Sequence, residues 1–412
     1  MKRITISKNK TQVIILYACT LFGILFGVLS SIVNTRFLDP ADYGDVRYVQ
    51  NIINFIASLL LFGYFLSGSR LLALSHDEQY SQRIRGAMCV ILVVSSLVLV
   101  FSCVGCIIGH INKPNIANLF LISLPVCFYP LLLNYVNTTA QGDNHIGRLS
   151  IARLVPSFVY VPIGYFFYKH YGATAELMII LQWGIYTIIL FFVIISTKPK
   201  FKELKPVFKD LIAENRSYGM QLYIGSLVMC ATNYIAGITI GLFNPDNTEV
   251  GFYTLALTVT SPLATLPAII GTTYFKQFAL QNKIPSNVMR YTIGITIISC
   301  LGFIAIIRPL VTLLYSESYS PVGMYAMVLA IGFSVHGVGD MINRYLGSHG
   351  QGKSIKNASI ANGVFKVFGY TVLVYFFSTF GALVTTIACD FIYTIVLCVY
   401  YKKFITQSSL NK

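Results

Sequence analysis

Acidic residues are scarce in this chain: 15 Asp and Glu stand against 30 Lys and Arg in 412 residues, and the four charged types together make up only 11%. A soluble domain carries roughly twice that share of charge. With 55% hydrophobic residues and a mean hydropathy of +0.69, the chain reads as a polytopic membrane protein, since only backbone that satisfies itself crosses hydrocarbon. Cysteine outside apolar stretches is also lacking. All nine cysteines fall inside expected spans, where Cys is a small buried hydrophobe, so no disulfide framework is expected. Cys103 and Cys106 have redox-motif spacing, yet within a span they simply share a helix face. The first apolar run follows Lys2, Arg3, Lys8 and Lys10, but it is too long for a signal peptide and no small-residue cleavage site follows, so it is kept as a spanning helix. His336 has no partner at metal-ligand spacing and is read as a packed polar residue. Neither metal nor cofactor is expected.

Residues 347–354, GSHGQGKS, match the phosphate-binding P-loop pattern without a mismatch. That loop works only between a buried strand and a helix, where backbone N–H groups cradle phosphates. Here it sits between two apolar spans, with no upstream strand. It is read as a glycine-rich turn at the membrane surface, and ATP is not expected.

Twelve apolar stretches are long enough to span: 11–35, 46–66, 86–109, 116–138, 149–168 and 174–196, then 219–243, 253–275, 291–314, 322–342, 358–377 and 381–401. Placing the N-terminus in the cytoplasm leaves only Arg36, Arg47, Lys113 and Lys169 in outer segments, and Arg153, Arg308 and Lys366 inside spans. Every other Lys and Arg is then cytoplasmic, most densely at Lys198, Lys200, Lys202, Lys205, Lys209 and Arg216, as the positive-inside bias requires. Both termini face the cytoplasm in this arrangement. The net charge of +15 is therefore mostly topology, not a nucleic-acid footprint.

The chain also repeats itself. Gln141-Gly142 and the YFF at 165–167 recur 210 residues later as Gln351-Gly352 and the YFF at 375–377, and YGA at 171–173 is echoed by FGA at 380–382. Asp39-Pro40 aligns with Asn244-Pro245, and Gly44 with Gly251. Six spans per copy is an even number, so the copies enter the membrane in the same direction, related by an axis along its normal, which is transporter architecture. The expected organisation is a six-helix bundle over 1–197, a basic cytoplasmic linker over 198–217 serving as the joint, and a second six-helix bundle over 218–412.

RFLDPADYGDVRYVQNIINFIASLLLFGYFLSGSRLLAL from Arg36, VGFYTLALTVTSPLATLP from Val250 and RPLVTLLYSESYSPVGMYAMVLAIGF from Arg308 carry a resemblance. The chain is similar, over nearly its whole length, to the polysaccharide transporter or O-antigen flippase family, whose superfamily also holds multidrug-and-toxin extruders and lipid II flippases. The residue before Pro40 is Asp39 where that family commonly has Gly. The resemblance implies an all-α fold of twelve spans. It also implies movement of an undecaprenyl-pyrophosphate-linked oligosaccharide to the outer leaflet of a bacterial inner membrane by alternating access, with membrane lipids and the polymerase and chain-length proteins of the same pathway as associates.

Such a cargo needs a wet and preferably cationic path, so polar and ionisable residues inside spans are the candidates. For the path these are Arg36, Arg70, Arg153, Arg308, Lys366, Asn51, Asn54 and Asn134. Arg308 suits either a cavity wall or a side chain snorkelling outwards, and snorkelling is favoured for Arg153. The amides suit sugar hydroxyls or helix–helix hydrogen bonds equally. Lys366 and Asp390 lie at depths differing by roughly 5 Å at about 1.5 Å rise per residue, which makes them an ion-pair or coupling candidate, with Asp340 closer to water. Prolines 125, 130, 156, 162, 262, 267 and 309 interrupt spans in both halves and suit kinked, alternating bundles. Two other readings remain. A drug/cation antiporter of the same superfamily should present carboxylates, whereas the spans carry three basic residues against Asp340 and Asp390. A membrane oligosaccharide polymerase, an enzyme, should have a sizeable outer loop, and the expected outer loops are only about ten residues.

Overall fold

The computed structural model describes residues 8–410, and among them all regular structure is helical. The first half holds α1 (Lys8–Phe37), α2 (Pro40–Leu59), α3 (Tyr64–Leu74), α4 (Glu78–Gly109), α5 (Pro114–Ser123), α6 (Tyr129–Gly142), α7 (Ile146–Tyr171) and α8 (Ala175–Ser196). After α9 (Leu204–Glu214) and a π-helical segment, Asn215–Gly219, come α10 (Met220–Phe243), α11 (Thr248–Thr260), α12 (Pro262–Thr273) and the single turn α13 (Phe275–Phe278). The chain ends with α14 (Ser286–Leu314), a 3-10 turn at Glu317–Tyr319, α15 (Ser320–Ser348), α16 (Gly352–Phe368), a second π segment at Gly369–Leu373, and α17 (Val374–Leu410). Local chemistry sets several starts: the Asp77 carboxylate accepts from Gln79 N–H ahead of α4, the Thr174 hydroxyl accepts from Leu177 N–H ahead of α8, and proline occupies the first turn of α5 and α15.

Breaks inside the apolar stretches follow proline only in part. Pro125 and Pro130 flank the turn between α5 and α6, and Pro262 opens α12. Pro156 and Pro162 stay inside α7, Pro267 inside α12 and Pro309 inside α14, so these four do not interrupt their helices as expected. A bend without proline, 58° between α2 and α3, is made at Gly63, with φ +77°. A Cβ there would also lie 2.6 Å from the Gly219 backbone, so both conformation and space demand glycine.

α17 contains a true reversal. Ser378 has φ 52° and ψ −138°, Gly381 lies against the Leu373 carbonyl, Gly369 against Thr385, and the Tyr370 and Thr386 hydroxyls are 3.0 Å apart. Residues on the two sides of Ser378 therefore run antiparallel. By length and apolarity eight helices qualify as spans among the described residues, or nine with the bent α2/α3 pair. That count takes 352–407 as one helix and passes over α5 and α6, each too short alone, and most of α10. Side chains such as Phe101 (74% exposed) and Ile298 (73%) coat the outer surface, as contact with lipid requires.

The duplication reappears as packing. α3 lies on α6 as α12 lies on α15; α4 on α5 as α14 on α15; α6 on α8 as α15 on α17; and α7 on α8 as α16 on α17. The chain divides into two compact units, one of residues up to Leu38 with Val49–Ala231, the other of Asp39–Tyr48 with Thr232 onwards. Within the second unit the aligned glycines meet: a Cβ on Gly251 would lie 3.2 Å from Gly44 Cα, and one on Gly44 would collide with the Asn247 carbonyl.

The P-loop pattern falls on the last turn of α15, a turn at residues 349–351 and the start of α16. Its backbone N–H groups are used locally, Gly350 to Gly347 O at 3.1 Å and Gln351 to Leu346 O at 3.0 Å. The linker, expected as a joint, is folded onto the first unit. Lys200 N–H donates to Gln82 O at 2.9 Å, and α9 buries Val207 and Leu211 while packing on α3 and α4.

Candidate functional site

α15 carries His336 and Asp340 one turn apart, so they share a face. Gly332 and Gly339 on the same helix admit α17 closely: a Cβ on Gly332 would lie 3.1 Å from Asp390 Oδ2, and one on Gly339 2.6 Å from Thr394 Oγ1. This approach sets His336 Nδ1 3.0 Å from Asp390 Oδ1 and Nε2 3.8 Å from Asp340 Oδ2. The His336–Asp390 contact is at ion-pair distance, yet Nδ1 has no aligned hydrogen-bond acceptor. The imidazole stacks on Tyr393, with centroids 4.7 Å apart and planes at 17°. Tyr393 OH donates to Asp340 Oδ1 at 3.0 Å and accepts from Asn343 Nδ2 at 2.7 Å.

The cluster extends towards α11 and α16. Thr386 Oγ1 lies 2.9 Å from Tyr253 OH and 3.0 Å from Tyr370 OH. Lys366, half-buried, stands one turn before Tyr370 as Asp390 stands one turn after Thr386, so the antiparallel packing of α16 on α17 brings Lys366 to the level of Asp390. Asp390 is 4% exposed, while the His336 and Asp340 side chains are 24% and 32% exposed, so one side of the network is open. Ser334 Oγ and Asn362 Oδ1 are buried nearby without a hydrogen-bond partner. Two carboxylates and one ammonium leave a single negative charge when His336 is neutral, and none when it is protonated. The arrangement therefore accepts a proton or a cationic donor at little electrostatic cost.

A second cluster lies in the first unit. Arg85, whose side chain is 7% exposed, makes paired contacts to Asp143 at 2.8 and 3.1 Å, reaches Glu78 at 2.9 Å and donates to Thr197 O at 3.1 Å. Arg148 reaches Asp143 at 3.3 Å and Ser196 O at 3.1 Å. The two guanidiniums thus cap the final carbonyls of α8 and tie the ends of α4, α6 and α7 beside a cavity of about 580 Å³. The sequence placed all of these residues in short loops or at span ends; the only signal was a basic residue, Arg85, directly before the apolar run of α4.

A family model described as polysaccharide biosynthesis protein matches residues 10–275, more than half of the chain. The chain belongs to that family. No curated protein matches it by sequence. Among solved structures, the chain is similar to the lipid II flippase MurJ in an inward closed conformation, at TM-score 0.74 and 16% identity over 97% of this chain and 90% of that one. It is also similar to an inward-facing multidrug resistance MATE transporter of the MOP superfamily, at TM-score 0.66 and 15% identity, covering 96% and 98%. A third is the MATE transporter VcmN of Vibrio cholerae in the bent form, at TM-score 0.55 and 12% identity, covering 97% and 98%. At such identities the likeness establishes the all-α fold these structures share, and the fold alone.

In this family member the expected site residues scatter. Lys366, Asp340 and Asp390 gather in the second unit, but the partner of Asp390 is His336, and no salt bridge joins it to Lys366. Depth along a helix was matched for Lys366 and Asp390; direction around the helix was not. Arg70 is taken by Glu214 at 2.7 Å and stacks on Tyr218. Arg153 is exposed and reaches Thr20 Oγ1 at 3.4 Å. Arg308 is exposed, with its Cα and Cγ beside Gly323 of α15, where an added Cβ would lie 3.2 Å from each, and Arg36 is exposed near the end of α1. Asn54 and Asn134 donate to their own helices, at Gln50 O (2.7 Å) and Pro130 O (3.3 Å), and Asn51 is half-buried. His336, read as packing, is the residue that joins both carboxylates.

Proposed function

We propose that this protein is a flippase, carrying an undecaprenyl-pyrophosphate-linked oligosaccharide, an O-antigen or capsule repeat unit, across the bacterial inner membrane by alternating access. The observation that carries the reading is the buried charged network on α15, α16 and α17. An ionised group at the centre of a spanning helix costs about 2.5–3.5 kcal/mol on insertion scales, and a purely structural bundle has no use for such groups gathered on three packed helices. MurJ, a lipid II flippase by description, has the same fold, which supports a lipid-linked cargo. Lys366, with no ion pair among the described residues, is the cation offered to the pyrophosphate. Asn362 and Ser334 are offered to sugar hydroxyls.

Two MATE likenesses favour the antiporter reading on fold alone. Against it, Lys366 stands among the carboxylates and His336 faces both of them, so the network carries at most a single negative charge for a cationic drug. Complementation of a flippase-deleted strain separates the readings. Restored surface glycan is expected, and Lys366→Ala should lower it several-fold at equal protein level while Lys366→Arg preserves it. Altered resistance to cationic dyes with no recovery of glycan would reject the flippase.

A further inference from the structure

The linker carries two opposed faces. Glu203, Val207, Asp210 and Glu214 recur at spacings of four, three and four, one side of a helix, and that side is spoken for. Glu203 pairs with Arg83 at 2.8 Å, Asp210 accepts from Tyr80 OH at 2.7 Å, Glu214 pairs with Arg70 at 2.7 Å, and Val207 is buried. Every acid of the segment is thus engaged with α3 or α4. Lys205, Lys209, Ile212 and Arg216 have the same spacing on the other side. All four are exposed, as are Lys198, Lys200 and Lys202, and none of these basic groups has an ion pair among the described residues. Two large apolar side chains stand among them, Phe201 at 59% and Ile212 at 41% exposed.

We infer that this face is a docking surface for anionic phospholipid headgroups of the protein's own bilayer. Position, charge and apolar content agree. α9 rests on the end of α3 and on the first turns of α4, at Tyr80 and Arg83, just ahead of the apolar run that begins at Gly86, which sets it at headgroup level. Its unpaired charge is of one sign, because each acid, Glu203 and Asp210 being exposed as well, is engaged by Arg83, Tyr80 or Arg70. Lysines framing exposed Phe and Ile are the pattern of a helix lying in the interface plane, its apolar groups entering the acyl boundary. The inference does not depend on which cargo the protein carries.

Lysine accessibility tests it on the unmodified full chain. The purified protein is reconstituted into vesicles of phosphatidylcholine alone, or of an equimolar mixture with phosphatidylglycerol. It is then labelled briefly with an uncharged amine-reactive ester and mapped by mass spectrometry, with Lys353, exposed at the start of α16, as the internal reference. Labelling of Lys205 and Lys209 relative to Lys353 should slow by roughly fivefold in the anionic vesicles and recover at high salt. Phe201→Ser with Ile212→Ser should weaken that protection while leaving the fold intact, since neither side chain is buried. Equal labelling in both vesicles overturns the inference. So does protection seen only in native membranes, which would point to an acidic protein partner instead.

Discussion

Asp390 is held by geometry that its own helix does not reveal. It is nearly sealed, its ion-pair partner is an imidazole on a neighbouring helix, and no salt bridge ties it to Lys366. Removing one member of a buried pair leaves the other uncompensated, at a cost on the order of 3 kcal/mol, while removing both with apolar replacements is close to neutral. Asp390→Leu should therefore lower the unfolding midpoint in detergent markedly, and Asp390→Leu with His336→Phe should recover more than half of the loss. A double variant no more stable than the single one would mean that the two residues are not coupled. Lys366→Ala should change stability little by the same measurement, because no ion pair is broken, even where it reduces export.

Elements were legible where periodicity and repetition carry the information. Gly44 and Gly251 aligned as repeat partners in sequence, and in the second unit they pack against each other. The swap of α3, α6 and α8 for α12, α15 and α17 follows the same register. Azimuth was not legible, which is why Lys366 was matched to Asp390 by depth and His336 was left out. Nor was the docking of α9: Lys and Pro in the linker suggested a tether, whereas the acids at 203, 210 and 214, spaced as one helical stripe, fasten it to Arg83, Tyr80 and Arg70. The glycine contact makes its own prediction. A methyl group on either Gly44 or Gly251 enters one gap, and overpacking of a close helix crossing costs about 1–3 kcal/mol. Gly44→Ala and Gly251→Ala should each destabilise the protein, the Gly44 change more because it meets a backbone carbonyl. The double variant should cost less than the sum, since the first methyl already parts the helices; strict additivity in thermal unfolding would show that the two sites do not share the gap.

At the scale of the whole chain, the open quantity is the number of crossings. Length and apolarity pass eight helices, or nine, yet three features raise that number. The reversal at Ser378 divides 352–407 into two antiparallel passes. α5 and α6 together run from Pro114 to Gly142 around a turn, and α10 follows directly on the π segment at Asn215–Gly219. Counting these with α2/α3 gives each repeat an even set of passes, which returns the chain after α8 to the side from which it started. The basic linker then lies on the same side as both ends, in accord with its Lys and Arg density. Fusions of a phosphatase that is active only outside the cytoplasm test this directly. Fusions after Asn247 and after Ser316, in the connections α10–α11 and α14–α15, should be active. Those after Lys200, Lys283 and Gly350 should be silent. The decisive junction is Ser378, where only a reversal at the outer surface makes a fusion active. A silent Ser378 fusion beside an active one after the C-terminal Lys402 would leave 352–407 as a single pass, make the second repeat odd, and place the two ends of the chain on opposite sides of the membrane.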